Sequence, residues 1–247
     1  MNLYDDPFLY DLVHGNFADA ETFRFYSKQI ERFGSPVLEL ACGSGHILVP
    51  LAEKGVEIVG IDMSDEMLVA CRRKADERNV KVRVQKGDMR EFELHQKFML
   101  IYAAGNSFQH INKIEEISAC FACVKRHLAP GGRFIVEVFN PYIPLLVREA
   151  ERRFMMGEFG DFVLSEDVNY DAATQINHIN WHFWHRPTNK VKTLSFAMRQ
   201  FFPQELDAFF AYNGFFIEQK FGDLDGLQFT SNSRKQVVIA SLSVART

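Results

Sequence analysis

Hydrophobic and polar residues follow two different rhythms along this chain. Up to about residue 140, short apolar runs alternate with longer segments in which apolar residues recur every three or four positions. The short runs predict buried strands and the longer segments predict helices. The predicted strands lie at 37–40, 56–61, 80–85, 98–103 and 133–139, and the predicted helices at 19–32, 46–54, 64–78 and 114–128, with a Pro-Gly-Gly turn at 130–132. This regular alternation indicates a parallel sheet wrapped by helices.

The rhythm changes after Pro141 and Pro144. Three strand-like segments with short joints follow at 162–170, 176–185 and 190–200, and this spacing predicts an antiparallel meander. A helix at 202–212 and strands at 215–221 and 236–244 then return to the first pattern. The expected domains are an N-terminal helical cap segment over 1–35, a core over 36–145 and 200–247, and an inserted antiparallel β subdomain over 146–199.

Composition narrows the classes of partner. The chain has 247 residues and a formal net charge of −4, which gives no general attraction to nucleic acid or to an anionic membrane. No apolar stretch is long enough to cross a bilayer, and no basic residue precedes Arg24, so neither a membrane span nor a signal peptide is expected. The four cysteines are few and unevenly placed, which favours reduced thiols and a cytoplasmic protein. Cys120 and Cys123 fall within a predicted helix with no second pair, so no metal site is expected.

The segment LELACGSG, residues 38–45, points to a ligand site. It joins the first predicted strand to a glycine turn, and ligands of such sheets bind outside the carboxyl ends of the strands. A dinucleotide motif would have a third glycine where this chain has Leu48. Glu39 stands four residues before Gly43, and a carboxylate there opposes a pyrophosphate. The spacing therefore favours a ligand that brings positive charge, such as an ammonium or a sulfonium group.

Four segments in the right order resemble the class I S-adenosylmethionine-dependent methyltransferases. They are VLELACGSG, VGIDMS, QKGDMREF and LAPGGRFIVEVFN, and the resemblance covers roughly residues 36–140 and resumes in the final strand pair. It implies a Rossmann-like, doubly wound sheet of seven strands, with the meander inserted as a lid or a dimer element. It also implies S-adenosylmethionine as cofactor and S-adenosylhomocysteine as product. The residues that it places at the cofactor are Glu39, Ala41, Gly43, Gly45, Asp62, Met63, Gly87, Asp88, Met89 and Asn106.

The same resemblance assigns roles to some of these residues. Asp62 would hold both ribose hydroxyls, with Met63 against the adenine face. Asp88 would accept from the adenine amino group, and Met89 would border the ring. Ala41 stands where family members commonly have glycine.

The acceptor side of the site is less defined by the sequence. In the resembling family, the loop after the fourth strand faces the reactive methyl group, and this loop carries His110 as a candidate general base. A capping or packed histidine is the alternative. An N-terminal segment of this type closes over the site in related small-molecule enzymes. The candidate substrate contacts are Tyr4, Tyr10, His14, Phe108, Trp181 and Arg199.

The expected activity is methyl transfer to a nitrogen or oxygen nucleophile of a small molecule by in-line displacement. Alternatives are a protein or RNA methyltransferase, a non-catalytic protein that binds S-adenosylmethionine, and an NAD-dependent oxidoreductase, against which Glu39 and Leu48 both speak. We expect a small-molecule acceptor as partner, without nucleic acid or membrane. The inserted sheet forms a lid, a homodimer surface, or both.

Overall fold

The apolar runs of the sequence form the strands of two separate sheets. The computed structural model describes residues 2–15, 18–146 and 153–243. The strands in chain order are β1 (Val37–Leu40), β2 (Ile58–Asp62), β3 (Arg83–Lys86), β4 (Phe98–Ala103), β5 (Leu128–Phe139), β6 (Arg153–Phe159), β7 (Phe162–Asp171), β8 (Ile176–His185), β9 (Lys190–Arg199), β10 (Phe215–Phe221) and β11 (Lys235–Leu242). The α-helices are α1 (Pro7–His14), α2 (Ala20–Phe33), α3 (Leu48–Glu53), α4 (Asp65–Glu77), α5 (Ile114–His127), α6 (Ile143–Leu146) and α7 (Pro203–Tyr212). Within these described ranges, no helix is both long enough and apolar enough to span a membrane.

The large sheet has seven strands, as the sequence predicted. Their order is β3-β2-β1-β4-β5-β11-β10. The first five strands are parallel, and β11 lies antiparallel between β5 and β10. Because β1 lies at the centre, between β2 and β4, the loops that follow these three strands meet at one edge of the sheet. Ligands of this type of sheet bind at this edge.

Each face of this sheet has its own hydrophobic core, because alternate residues of a strand point to opposite faces. Leu38 and Leu40 of β1 join a cluster with α5 and α7, which includes Phe121 and Phe210. Val37 joins the opposite cluster with α2, α3 and α4. The helices therefore cover both faces, in a doubly wound arrangement.

Two predicted boundaries in this sheet were wrong. The Pro-Gly-Gly turn at 130–132 lies inside β5, which begins at Leu128 and pairs irregularly with β4. The third strand begins at Arg83 rather than residue 80, because the Val80 N–H donates to the Ala75 carbonyl at 2.9 Å and closes the end of α4. At Val80 a hydrogen bond to the preceding helix, and at 130–132 the pairing of β5 with β4, determines the strand boundary in place of the local composition.

The second sheet contains the three predicted meander strands and one more. Its order is β6-β7-β8-β9, with every pair antiparallel. The sequence analysis missed β6, whose segment RFMMGEF has no clean alternation and whose pairing shifts around Gly157. The predicted boundary of this subdomain at 145–146 adjoins residues 147–152, which lie outside the described residues, so the domain division stays a prediction.

The N-terminal segment connects the two sheets. Leu3 and Leu9 are buried in the hydrophobic cluster of the small sheet, together with Trp181 and Phe183. Asp6 caps α1 and also pairs with Lys192 of β9 at 2.6 Å. This segment, which the sequence predicted as a helical cap that closes over the site, therefore packs between the inserted sheet and the N-terminal end of α4.

Candidate active site

The turn after β1 has an unusual backbone. Ala41, Gly43 and Gly45 have φ angles of +53°, +53° and +82°. A Cβ added at Gly43 would have nothing within 4 Å, so this backbone faces open space where a ligand can approach. A Cβ added at Gly45 would lie 2.6 Å from the Cys71 sulfur, so this glycine is required for packing against α4. Ala41 takes a conformation that costs glycine little, which explains why glycine is common there.

Asp62, at the end of β2, ties the turn to the next helix. Its Oδ2 accepts from the Gly43 N–H at 2.8 Å, and its Oδ1 accepts from the Ser64 N–H at 2.9 Å. Burial raises the pKa of the Asp62 carboxyl, although these two backbone donors oppose the rise. A carboxylate oxygen has room for a second donor, so both oxygens can still accept from a ligand hydroxyl.

Glu39 is buried on β1 with an exposed fraction of 4%. The Tyr102 hydroxyl donates to its Oε2 at 3.0 Å. Burial raises the pKa of Glu39 to about 8; the Tyr102 hydrogen bond opposes this rise, and the neighbouring charge of Asp62 adds to it. Among the described residues, no lysine, arginine or histidine forms an ion pair with Glu39 or Asp62. Because a buried carboxylate is costly without a counter-charge, this pair of acids favours a cationic ligand.

The sequence analysis missed a second buried glutamate, Glu137 near the end of β5. Its Oε2 accepts from the Tyr26 hydroxyl and from the Gly105 N–H, both at 3.1 Å. Lys235 pairs with its Oε1 at 2.5 Å. Glu137 thus holds the start of the loop after β4 to the neighbouring strand. A lone acid in the apolar run RFIVEVF was the available signal, of the same kind as Glu39 in VLEL.

Asp88 follows β3 and is held by an arginine. The Arg90 guanidinium donates to both oxygens of Asp88, at 2.6 to 2.9 Å, and it also pairs with Glu116 at 3.0 Å. These hydrogen bonds keep the pKa of Asp88 below its usual range, although burial acts in the opposite direction. The sequence predicted Asp88 for the adenine amino group but did not identify Arg90 as its partner.

Three other predicted cofactor residues surround Asp62 and Asp88. Met63 has an exposed fraction of 57%, so its side chain is available to a planar ligand. The Gly87 N–H donates to the Asp62 carbonyl at 3.0 Å, which brings the end of β3 beside the end of β2. Met89 packs against the hydrophobic core on the α5 side.

The loop after β4 carries Asn106 and His110. Asn106 has a left-handed φ of +67°, and its buried Oδ1 accepts no hydrogen bond from the described residues. The His110 Nδ1 donates to the Ala197 carbonyl at 2.9 Å, so its Nε2 is the acceptor for the Tyr4 hydroxyl at 2.5 Å. Burial lowers the pKa of His110 and raises that of Tyr4. The structure therefore pairs a neutral imidazole with a protonated tyrosine.

Comparisons with known proteins identify this arrangement. Residues 37–132 match the model of a methyltransferase domain. The structure superimposes on the CcbJ methyltransferase from Streptomyces caelestis with a TM-score of 0.87 and 24% identity, over 98% of this chain and 99% of the other. The chain has the fold of the class I S-adenosylmethionine-dependent methyltransferases. The methyltransferase resemblance that the sequence indicated is thus confirmed, and the matched residues include the first three of its four motifs.

Two further methyltransferases are similar in sequence or in fold. A dTDP-3-amino-3,4,6-trideoxy-alpha-D-glucopyranose N,N-dimethyltransferase from Streptomyces venezuelae is 31% identical over 103 residues, which are 42% of each chain. SAM-bound CalS10, an amino pentose methyltransferase from Micromonospora echinaspora, superimposes with a TM-score of 0.73 and 18% identity, over 98% of this chain and 99% of the other. The chain spans about half the length of the curated relatives it matches. The structural likenesses, below 25% identity, establish the methyltransferase fold.

The residues present fit the family's cofactor, S-adenosylmethionine. Its ammonium and sulfonium groups are positive. The buried Glu39 and the partly buried Asp62 form no ion pair with a basic residue among the described residues. The unpartnered Asn106 Oδ1 is a further acceptor at the same edge of the sheet. The open side of Gly43 allows a ligand to reach the backbone.

The N-terminal segment brings Tyr4, Tyr10 and His14 to this edge. The Ser64 hydroxyl, which caps α4, also donates to the Tyr4 carbonyl at 2.7 Å. The rings of Tyr10 and His14 stack at 4.2 Å, and His14 stacks on Trp181 at 5.6 Å. The predicted substrate contacts of the N-terminal segment and of the inserted sheet therefore meet each other, with Trp181 buried beneath α1.

Two other predicted substrate residues, Phe108 and Arg199, make contacts within the protein. Phe108 has an exposed fraction of 0% and packs against the aromatic core, in which Phe121 and Phe201 are its ring neighbours. The Arg199 guanidinium donates to Glu205 at 2.7 Å and to the Asn112 carbonyl at 3.1 Å, so it joins β9 to α7 and to the loop after β4. Both side chains are buried and pack beside the loop that carries His110, and their contacts with a substrate stay predictions.

Proposed function

We propose that this chain is an S-adenosylmethionine-dependent methyltransferase that acts on a small molecule with a nucleophilic nitrogen or oxygen. The observation that carries the proposal is the pair of acids beside the open glycine turn, the buried Glu39 and the partly buried Asp62. The likeness to methyltransferases of amino sugars makes a small-molecule amine the first acceptor to test. The acidic net charge of −4 also favours a small molecule over RNA.

In this proposal the cofactor is held by the edge already described. Glu39 and the backbone of the glycine turn surround its methionine end. Asp62 accepts from the ribose hydroxyls while it keeps the turn in place through the Gly43 N–H. Asp88, oriented by Arg90, accepts from the adenine amino group, and Met63 and Met89 border the ring.

When bound, the cofactor supplies an electrophilic methyl group on a sulfur that is already a good leaving group. The protein's main task is therefore to align the acceptor, and alignment is worth on the order of 7–11 kcal/mol at best. In this proposal, Tyr4 and Tyr10 of the N-terminal segment align the acceptor. A neutral amine needs little more than orientation.

In this proposal, His110 takes up the proton of the acceptor through the Tyr4 hydroxyl. Its Nε2 accepts from the Tyr4 hydroxyl, and the tyrosine oxygen can in turn accept from the N–H or O–H of the acceptor. As the acceptor loses its proton to the Tyr4 oxygen, the Tyr4 proton passes to Nε2. Because burial lowers the pKa of His110, the neutral form required here persists to lower pH than for an ordinary histidine.

The first experiment is a calorimetric titration of the purified protein with S-adenosylmethionine, S-adenosylhomocysteine and NAD. Binding of the first two without NAD supports the proposal, and binding of NAD alone contradicts it. Asp62→Ala should weaken cofactor binding by about a hundredfold, since the ribose hydroxyls lose a buried charged acceptor. Asp19→Asn, which alters an acid at the N-terminal cap of α2, is the matched control and should leave the affinity unchanged.

A second assay identifies the reaction. Transfer of labelled methyl from the cofactor is measured with a panel of amino sugars, other amines, hydroxylated small molecules, peptides and RNA. Turnover with an amine or a hydroxyl compound supports the proposal, whereas turnover with peptide or RNA alone would reassign the acceptor class. Cofactor binding without turnover across the panel would favour a non-catalytic binding protein.

A homodimer through the inserted sheet stays a prediction. The strand β6 lies at the edge of that sheet and exposes Met155 and Met156. Sedimentation of the wild type against Met155→Lys tests whether this edge is a contact between two copies.

A further inference from the structure

A buried polar cluster joins the N-terminal helix to the glycine turn. Asp11 of α1 accepts from the Ser44 hydroxyl at 2.6 Å and from His46 Nε2 at 2.9 Å, both through its Oδ1. Its Oδ2 pairs with Lys74 of α4 at 2.8 Å. Lys74 also donates to the Ser44 oxygen at 2.9 Å. Three separate segments of the chain therefore meet at one carboxylate.

The cluster is closed to solvent. The exposed fractions of Asp11, Ser44 and Lys74 are 8%, 1% and 3%. Burial alone would raise the pKa of Asp11, but the hydrogen bonds from His46, Lys74 and Ser44 outweigh it and lower the pKa. A buried ion pair of this kind is weak evidence for stability, because the cost of removing water offsets much of the attraction. Its effect is better sought in the geometry that it fixes.

The geometry that it fixes is the glycine turn. Ser44 lies between Gly43, whose N–H donates to Asp62, and Gly45, which packs against α4. Glycines leave a backbone many conformations, so the turn depends on its side-chain contacts to stay in one of them. Ser44 is the residue of the turn whose side chain can be held, and Asp11 holds it.

Side chains close to Asp11 on α1 reach the inserted sheet. His46, which donates to Asp11, also stacks on Tyr10 at 5.4 Å, and the stack continues through His14 to Trp181 of β8. The helix α1 thus contacts the glycine turn through the Asp11 carboxylate and the inserted sheet through the stacked rings of Tyr10 and His14.

We propose that Asp11 is a positioning residue of the cofactor site. It fastens α1 to the glycine turn, holds Ser44 in the conformation that presents the Gly43 backbone to the cofactor, and makes the N-terminal helix one wall of the site. Asp11 itself contacts neither cofactor nor acceptor. The cofactor part of this inference rests on the proposed function, whereas the fastening of the turn does not.

The test compares four variants: Asp11→Ala, Lys74→Met, the double variant Asp11→Ala/Lys74→Met, and Asp6→Asn as the control. Asp6 is on the same helix and also forms an ion pair, but with Lys192 of the inserted sheet, and asparagine caps helices as well as aspartate does. Hydrogen–deuterium exchange of the amides at 42–46 is measured in ligand-free protein. The melting temperature and the affinity for S-adenosylmethionine are measured on the same preparations.

Asp11→Ala should speed exchange at 42–46 and weaken binding by about tenfold, since the turn loses hydrogen bonds to a charged group. It should also lower the melting temperature by on the order of 10 °C, because Lys74 loses its buried counter-charge. The double variant should recover most of the melting temperature but neither the slow exchange nor the affinity. Asp6→Asn should leave exchange at 42–46 and affinity as in the wild type.

Recovery of affinity together with melting temperature in the double variant would overturn the proposal, since Asp11 would then only neutralise Lys74. Unchanged exchange at 42–46 in Asp11→Ala would overturn the fastening itself. Faster exchange with unchanged affinity would overturn the link to the cofactor. If the wild type does not bind S-adenosylmethionine, the proposed function and the cofactor part of this inference fail together, and the exchange experiment still decides the fastening.

Discussion

Two strands of the large sheet each carry one buried acid, and the two acids are balanced differently. Glu39 on β1 and Glu137 on β5 each accept from a tyrosine hydroxyl, and those tyrosines, Tyr102 and Tyr26, lie with their rings 4.4 Å apart. Glu137 also has Lys235 and the Gly105 N–H as partners. Glu39 has no basic partner among the described residues. The difference separates an acid that holds the fold together from one that is available to a cationic ligand.

The largest effect should follow from neutralising the acid without a cation. Glu39→Gln removes a charge that the cofactor's ammonium group would meet, and we expect the affinity for S-adenosylmethionine to fall by about a hundredfold. The ligand-free protein should become more stable by roughly 1–3 kcal/mol at pH 7. Calorimetric titration and chemical denaturation measure the two quantities.

The sign of that stability change follows from the pKa. The folded-state pKa of Glu39 is about 8, above its ordinary value of 4.5, so the folded protein binds an extra proton between these two values. The stability of the wild type should therefore fall as the pH rises from 4.5 to 8, and glutamine removes this loss. A destabilised Glu39→Gln variant would show that the ionised Glu39 is stabilised within the fold, contrary to this expectation.

Glu137→Gln should have the opposite profile. It leaves Lys235 without its counter-charge. Because Lys235 is partly exposed, we expect the free energy of unfolding to fall by roughly 1–3 kcal/mol, less than when a fully buried ion pair is broken. Affinity for the cofactor should change by less than in Glu39→Gln. Denaturation in urea measures the loss. A larger effect on affinity than on stability would place Glu137 at the ligand.

A smaller expected effect is the loss of a proton from Glu39 when the cofactor binds, and it can be measured on the wild type. At pH 7 the ligand-free carboxyl is mostly protonated, and a cationic ligand favours its ionised form. Binding should therefore release about one proton per cofactor. Titrations at pH 7 in buffers of different ionisation enthalpy measure this number, and Glu39→Gln should release close to none. Release of a proton by that variant would assign it to another group.

The smallest expected change in cofactor affinity belongs to His110. His110→Ala should leave the affinity within about twofold and slow turnover by about tenfold or more, depending on whether the acceptor must lose a proton. Tyr4→Phe should show the same pattern, because it breaks the same proton path. The turnover of wild type should also fall with decreasing pH only below 6.5, since burial lowers the pKa of His110. Normal turnover in both variants would make the pair structural.

The sequence predicted the large sheet well and the small sheet in part. Buried strands between helices are short apolar runs with clear ends. For this reason β1, β2 and β4 were predicted close to their observed bounds. The strand β6 was missed because it lies at an edge with half its side chains exposed, where no alternation is imposed by a core. Phe108 was predicted at the substrate, but its place in the core depends on aromatic neighbours far along the chain.

The sequence by itself determined which acids and glycines meet at the edge proposed for the cofactor. Glu39, Gly43 and Asp62 lie within strands and turns whose geometry follows from local spacing, and parallel strands bring their carboxyl ends together whatever else surrounds them. Only the tertiary structure decided which acids are matched by cations, which histidine nitrogen is free to accept, and that Asp11 reaches Ser44 across 33 positions. These features depend on contacts between distant segments, and a lone acid in an apolar strand has the same local pattern whether a lysine or a ligand balances it.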